Sequence, residues 1–430
     1  MLSLRSYRSN EHGHSFSVPK HIHSSAGHLR KSGDIMGDNA FPLNIDGKPT
    51  GPLAGVRIVD LSKVVLGPMA TQILGDMGAD VIRIESPGDN ARISPANVER
   101  NPGMAALYMQ LNRNKRSVTL DLKAPGGVDT LLNLLAQADV LVTNMRGRAL
   151  TKLGIDYDSL RERFPQLIYA HAQGFNETSS AADRPAYDEV IQAVSGIVNM
   201  QERANGSLQF LPTFIADKTV ALYLAIGVLG AVVDQVRTGQ GQYLRIAMAD
   251  TMIAVNAVEH LGGEMFVPPA GDVGNPLSLS QIHRAMRTRD GGAIAAVAYT
   301  NAAIRLLLIG AGRNDRAADP VWDSVAIDRA VFNSGWEEVL EHSTTKTTAE
   351  WEEYLNAHDI PFGLVTDIAD LPNDDYVREV DLIGEVDHPT EGRVRMVRNP
   401  LEYSRTPTDI RRLPEQYGAS TAEVLGAVQR

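Results

Sequence analysis

Gly55-Val56-Arg57-Ile58-Val59-Asp60-Leu61, the turn Ser62-Lys63-Val64-Val65-Leu66, the pair Gly67-Pro68 and the stretch Ala79-Asp80-Val81-Ile82-Arg83-Ile84-Glu85 decide the fold of this chain. The first and last alternate apolar with polar residues over the length of a strand, and β-branched side chains dominate both. Between them Gly67-Pro68 opens a helix that runs through Gly75, because proline is tolerated in the first turn of a helix but not in its interior. Strand, helix and strand within roughly thirty residues make a βαβ unit, whose strands lie parallel because the crossover returns the chain to its starting edge.

The pattern then recurs. Ser117-Val118-Thr119-Leu120-Asp121-Leu122 reads as a strand, residues 126–137 as a helix and Val140-Leu141-Val142-Thr143-Asn144 as the next strand. Repeated βα units predict an α/β fold with a Rossmann-like parallel sheet that binds ligands at the carboxyl ends of its strands. A chain of 430 residues exceeds one ordinary core, so a second domain is expected. The Pro/Gly-rich connection from Val267 to Pro276 marks the change of pattern. Beyond it, Asp290-Gly291 forms a hairpin turn leading into Ala293–Val297, with helices expected near 301–311 and 348–357. The expected organisation is a large domain beginning at 51–256, a smaller mixed α/β domain at 257–365, and a return to the large domain at 366–430, where Asp387-His388-Pro389-Thr390-Glu391-Gly392 gives a second hairpin signal. Residues 1–50 read as a disordered extension. Its first 35 residues carry serines, basic residues and His12, His14, His21, His23 and His28 without hydrophobic periodicity. They fit an organellar transit peptide, or a true start at Met36, and the expected compartment is accordingly the cytoplasm or an organellar matrix.

Composition removes several kinds of chemistry. A net charge of −11 speaks against nucleic-acid binding, and the absence of cysteine excludes thiolate catalysis and cysteine-ligated metals. The longest apolar stretch, around 219–233, is interrupted by Gly227, Gly230 and Asp234, which argues against a membrane span. The turn after the first strand lacks G-x-G-x-x-G, and no P-loop, H-E-x-x-H or G-x-S-x-G sequence occurs. No metal site is expected, and His171 and His260 read as structural. What remains is carboxylate chemistry, and the candidate is Asp217 in Phe214-Ile215-Ala216-Asp217-Lys218-Thr219, ahead of the apolar run Val220–Leu229. Two roles are open to it. It caps a helix, accepting N–H bonds from the first turn, or it attacks an activated carbonyl such as a thioester.

From Leu53 to its end the chain resembles the family III CoA-transferases, the group of formyl-CoA and carnitine CoA-transferases and α-methylacyl-CoA racemases. The resemblance is carried by Leu53–Asp60, Gly78–Glu85, Asn112-Arg113-Asn114-Lys115-Arg116-Ser117, Ala138-Asp139-Val140-Leu141 and Thr238-Gly239-Gln240-Gly241-Gln242. It implies that Asp217 is the nucleophile that accepts an acyl group from acyl-CoA as an anhydride and then holds CoA as a thioester, with no permanently bound cofactor. It implies Tyr187 and Asp188 beside the substrate, and Val64, Val65, Leu66, Leu120, Lys123, Asn144 and Lys152 around CoA. The implied partners are acyl-CoA, a small carboxylic acid and a second copy of the chain, interlocked with the first as a homodimer. A racemase of the family has His at the position of Tyr187, so racemisation or isomerisation is the lesser alternative, followed by CoA binding without catalysis. Two positions depart from the formyl-CoA transferases: Ser86 stands for an Arg and Val65 for a Gln. Arg92, Arg146, Arg148 and Arg184 are candidates to supply the missing charge. No run of four glycines is present, so a lid is expected from 270–283 instead.

Overall fold

Ile58 and Val59 point to opposite faces of one strand, and both are fully buried. A strand covered on two faces belongs inside a parallel sheet, between layers of helices. The computed structural model describes residues 41–88, 92 and 98–428, and most of the expected N-terminal extension lies outside them. The strands β1 (Arg57–Asp60), β2 (Asp80–Glu85), β3 (Lys115–Thr119), β4 (Val140–Thr143), β5 (Ile168–Gln173) and β6 (Tyr243–Ala247) form one sheet in the order β3-β2-β1-β4-β5-β6. Every neighbouring pair is parallel. Alternate residues sort into two cores. Ile58, Val81, Val142, Ile168 and Ala170 face one layer, and Val59, Ile82, Leu141 and Tyr169 face the other.

The expected Rossmann-like parallel sheet is therefore present, with differences in detail. β3 begins at Lys115, two residues ahead of the expected Ser117. Lys115 and Arg116 read as loop because they are charged, yet Lys115 is buried and its Nζ lies 3.2 Å from Oδ2 of the buried Asp60. β5 and β6 were not anticipated. They are held from one side by a helix running unbroken from Ile215 to Thr238, whose buried face is Ala216, Val220, Ala221, Leu224, Ala225, Val228, Ala231 and Val232.

That continuity overturns the argument that glycines interrupt the apolar stretch. Among the described residues this is the one helix long and apolar enough to cross a membrane, with a mean hydropathy of 1.8 over its best window. Gly227 serves packing, whereas a Cβ on Gly230 would meet open space. A Cβ on Gly227 would lie 2.8 Å from the Leu244 side chain, so glycine lets the helix sit close on β6.

Three shorter strands, β7 (Met286–Arg287), β8 (Ala293–Ala296) and β9 (Phe362–Leu364), make an antiparallel sheet. It packs in a separate core with Trp322, Trp336 and Trp351. The Asp290-Gly291 turn joins β7 to β8 as expected, and β10 (Ile383–His388) pairs with β11 (Gly392–Val397) as the second hairpin. The chain then returns to the first sheet. Asn114 N–H donates to Arg412 O, Ser420 N–H to Ser117 O and Thr119 N–H to Thr421 Oγ1, so residues 412–421 line the outer edge of β3.

Candidate active site

The strand order reverses between β1 and β4, and the crevice at their carboxyl ends is where such sheets bind ligands. Two loops meet there and clasp each other: Lys63 N–H donates to Asn144 Oδ1 at 2.9 Å, and Asn144 Nδ2 donates back to Lys63 O at 2.9 Å. Next to this clasp Val64 adopts φ +69°, a left-handed conformation that a β-branched residue rarely accepts. Its side chain is exposed, whereas Val65 and Leu66 are buried. Those two residues therefore offer backbone rather than side chain to a ligand. Leu66 starts the helix Leu66–Asp76 without a side-chain cap from Val65; Pro68 has no N–H and Met69 N–H donates to Val65 O, so the N–H groups of Leu66 and Gly67 are the first-turn donors that could face an anion.

Beneath the loop lies a buried ionic cluster. Asp60 accepts from Ser62 and Thr71, and Lys115 Nζ also reaches Pro68 O at 2.8 Å and Asn112 Oδ1 at 3.0 Å. Burial works to raise the Asp60 carboxyl, but Lys115, Arg83 and the two hydroxyls outweigh it and hold its pKa below the ordinary value. Burial pushes the Lys115 ammonium down to about 8 against the attraction of Asp60. Gly67 is needed here because a Cβ would fall 2.1 Å from Cβ of Ser62.

The other expected CoA residues spread to both sides of the crevice. Leu120 is buried just past β3, and Lys123 is exposed in the following turn. Lys152 lies on the opposite side, on the helix Gly147–Leu153, at a cavity of about 650 Å³ lined also by Arg148, Tyr157, His171, Glu177 and Tyr243. The structure thus brings Val64, Val65, Leu66 and Asn144 together but keeps the two lysines apart. Of the candidate arginines, Arg92 is engaged elsewhere. Its guanidinium pairs with Glu85 at 2.6 Å and lies 3.9 Å from the Tyr108 ring centroid, both inside the fold. Arg148 pairs with Asp183 at the surface, Arg184 lies over Phe175, and Arg146 is exposed two residues past Asn144. Within 270–283, Arg203 donates to Val273 O and Asn275 N–H donates to His260 Nδ1, which ties that segment to two helices and makes His260 structural.

Asp217 occupies the third position of the helix Ile215–Thr238, whose N-cap is Phe214. The capping role expected as one alternative is not taken by Asp217: the N-cap is Phe214, whose side chain makes no cap bond, and the first-turn N–H is served by Asp188. The backbone N–H of Asp217 donates to Asp188 Oδ1 at 3.0 Å, and Asp188 Oδ2 accepts from Gln192 Nε2 at 2.5 Å. Asp188 is buried at the start of the helix Asp188–Val194, and Tyr187 precedes it with two thirds of its surface exposed. Burial, then the charges of Asp188 and Glu189, push the Asp217 carboxyl up to about 7. A carboxylate destabilised in this way is more basic, hence more nucleophilic once ionised, than one in water. Among the described residues no cluster of His, Asp or Glu is arranged to hold a metal.

The chain is similar to known proteins over most of its length. The model of CoA-transferase family III matches residues 53–421. The chain is 30% identical over 388 residues to a succinate–glutarate CoA-transferase of Agrobacterium fabrum, covering 88% of this chain and 96% of that one. It is 30% identical over 409 residues to a formyl-CoA:oxalate CoA-transferase of Rhodopseudomonas palustris, covering 87% and 93%. A CAIB/BAIF family protein from Brucella suis superposes with a TM-score of 0.75 at 26% identity, over 88% of this chain and 99% of that one.

Proposed function

The chain belongs to CoA-transferase family III, and from that premise we propose that it moves CoA from an acyl-CoA to a free carboxylic acid with Asp217 as the covalent nucleophile. The Asp217 carboxylate attacks the thioester carbonyl, the C–S bond breaks, and a mixed anhydride and CoA thiolate result. The thiolate attacks the aspartyl carbonyl, expels the first acid as its carboxylate and leaves CoA as an aspartyl thioester. The incoming carboxylate attacks that aspartyl carbonyl, releases the thiolate and forms a second anhydride. The thiolate then attacks the new acyl carbonyl, which frees Asp217 and the product thioester. No ATP is consumed because anhydride and thioester exchange at comparable energy.

The observation that carries this reading is the placement of Asp217 in the first turn of the long apolar helix, its backbone N–H held at 3.0 Å by the buried Asp188, with burial and the charges of Asp188 and Glu189 pushing its carboxyl up. Asp188 holds the backbone of Asp217 and keeps its anion costly. Both Asp188 oxygens are already engaged, by Asp217 N–H and Gln192. That leaves it poorly placed as the second base of a proton relay, and it weighs against the isomerase alternative. CoA lies across the β1–β4 crevice, its ADP phosphates served by the Leu66 helix start and by Lys123 or Lys152, and its thioester end directed to Asp217.

Water has to be kept from the anhydrides. Exposed Tyr187 and Phe214 stand at the starts of the two helices that carry Asp188 and Asp217, and the outer face of the long helix exposes Leu222, Tyr223, Ile226 and Val236. An interlocked homodimer would cover such surface, with the domain division at about 257 and 365 providing the threading segments. The experiment is turnover of acyl-CoA donors with a panel of carboxylic acids, with hydroxylamine added. Trapping on the peptide that carries Asp217, and loss of transfer but not of CoA binding in Asp217→Ala, are the expected results. Unchanged turnover in that variant refutes the assignment.

A further inference from the structure

His171 is the fourth of the six residues of β5, with 3% of its surface exposed, and the transfer reaction above makes no use of it. In the parallel register it pairs with Thr143, the last residue of β4, so its ring reaches over the end of that strand. Nε2 lies 2.8 Å from Met145 O and Nδ1 lies 3.1 Å from the Tyr243 hydroxyl. Tyr243 Oη is also 3.1 Å from Glu177 Oε2, and Glu177 pairs with Arg245. A line of contacts thus runs from Arg245 on the edge strand β6 to Met145, the residue after Asn144.

Proton accounting fixes how these groups bond. A carbonyl oxygen only accepts, so Nε2 of His171 carries the hydrogen. Burial lowers the His171 pKa, against the opposing pull of Met145 O and Glu177. Tyr243 has one hydroxyl hydrogen and two partners at equal distance. Its hydrogen goes to Glu177 Oε2, since Arg245 holds the other oxygen, Oε1, and the hydroxyl so anchored stands 3.1 Å from Nδ1 and fixes the edge of the His171 ring.

We infer that His171, fixed by Tyr243, is a positioning residue for CoA binding: by donating to Met145 O it holds the turn whose Asn144 clasps Lys63 and so keeps Val64 in its left-handed conformation ahead of Val65 and Leu66. The inference rests on the proposed CoA site for its functional consequence, but the strut itself is a property of the free protein. Arg245 and Glu177 face the relay from β6 and from the loop after β5, and Arg148, Lys152, Asp156 and Asp158 line the cavity on its open side.

The test uses His171→Leu, which removes both ring nitrogens, His171→Gln, whose amide can still donate to Met145 O, and Tyr243→Phe, which leaves His171 in place but unfixed. Two readouts are taken on the full chain. Amide hydrogen exchange of the segment 61–66 reports on the clasp, and calorimetric titration with CoA reports on the site. In His171→Leu the 61–66 amides are expected to exchange about tenfold faster and the Kd for CoA to rise about three- to tenfold, the range of one hydrogen bond. His171→Gln is expected to recover most of both, and Tyr243→Phe to fall between. Exchange at 61–66 that is unchanged in both His171→Leu and Tyr243→Phe overturns the strut. Faster exchange with an unchanged Kd overturns the link to CoA. If the wild-type chain binds no CoA, the proposed function fails and the exchange result alone decides the strut.

Discussion

Replacing Asp217 with Asn should make the protein more stable at pH 8 and inactive as a transferase. In the folded chain the Asp217 carboxyl is pushed from 3.8 to about 7. Between those values the folded state holds a proton that the unfolded state has lost, so this residue's contribution to stability is complete below about pH 4 and drains away as pH rises through 7. The full shift corresponds to about 4 kcal/mol at 1.36 kcal/mol per unit, and relaxation of a partly exposed site reduces this to about 2–4 kcal/mol. Asn is nearly isosteric and carries no charge, so the cost disappears at every pH. For a chain of this size the specific unfolding entropy converts the gain to roughly 2–5 °C in the apparent midpoint. Thermal melts of wild type and Asp217→Asn at pH 4 and pH 8 would read it: little difference at pH 4, a higher midpoint for the variant at pH 8. An equal difference at both pH values, or a variant less stable at pH 8, would refute the claim that this carboxylate is held at an energetic disadvantage.

Other expectations follow from the same geometry. Asp188→Asn removes the nearest negative charge, so the acid limb of the kcat/KM profile, set by Asp217 near pH 7, should move to lower pH; a limb that stays or rises would count against their coupling. Lys115→Met strands a buried Asp60 and is expected to cost about 3–5 kcal/mol in chemical denaturation, with the double variant Asp60→Asn, Lys115→Met less damaged than the sum. Val64→Gly relieves a left-handed β-branched residue and should raise stability by about 1 kcal/mol, after the entropic cost of glycine in the unfolded chain, as measured by the same denaturation. Gly227→Val forces the long helix away from Leu244 and should cost about 1–3 kcal/mol.

The first βαβ unit was legible because Ile58, Val59, Val81 and Ile82 combine alternation with β-branching, and both hairpin turns announced themselves through Gly. β3 was displaced by two residues because Lys115 looks like a loop residue until Asp60 is seen beneath it. β5 was missed because Ala170, His171, Ala172 and Gln173 have weak strand preference, and the cover of the long helix decides their state. Asp217 stood out ahead of an apolar helix, yet the sequence gives no sign that its partner is Asp188, 29 residues away. Arg92 shows the same blindness: its ion pair and ring contact belong to residues that folding brings to it. Gly227 looked like an interruption because the side chain that requires it is on another element.

The segment that seals the outer edge of β3 is made last. Thr119 and Thr421, which share a hydrogen bond there, are separated by 302 residues. At about 5–20 residues per second, a ribosome takes roughly 15–60 s to travel that distance. Throughout this interval the nascent sheet presents an open strand edge, the kind of surface that templates mispairing. Production of this protein is therefore expected to be limited by how its unfinished form is sheltered during synthesis, and a chain truncated near residue 410 should precipitate although every strand of the main sheet is present.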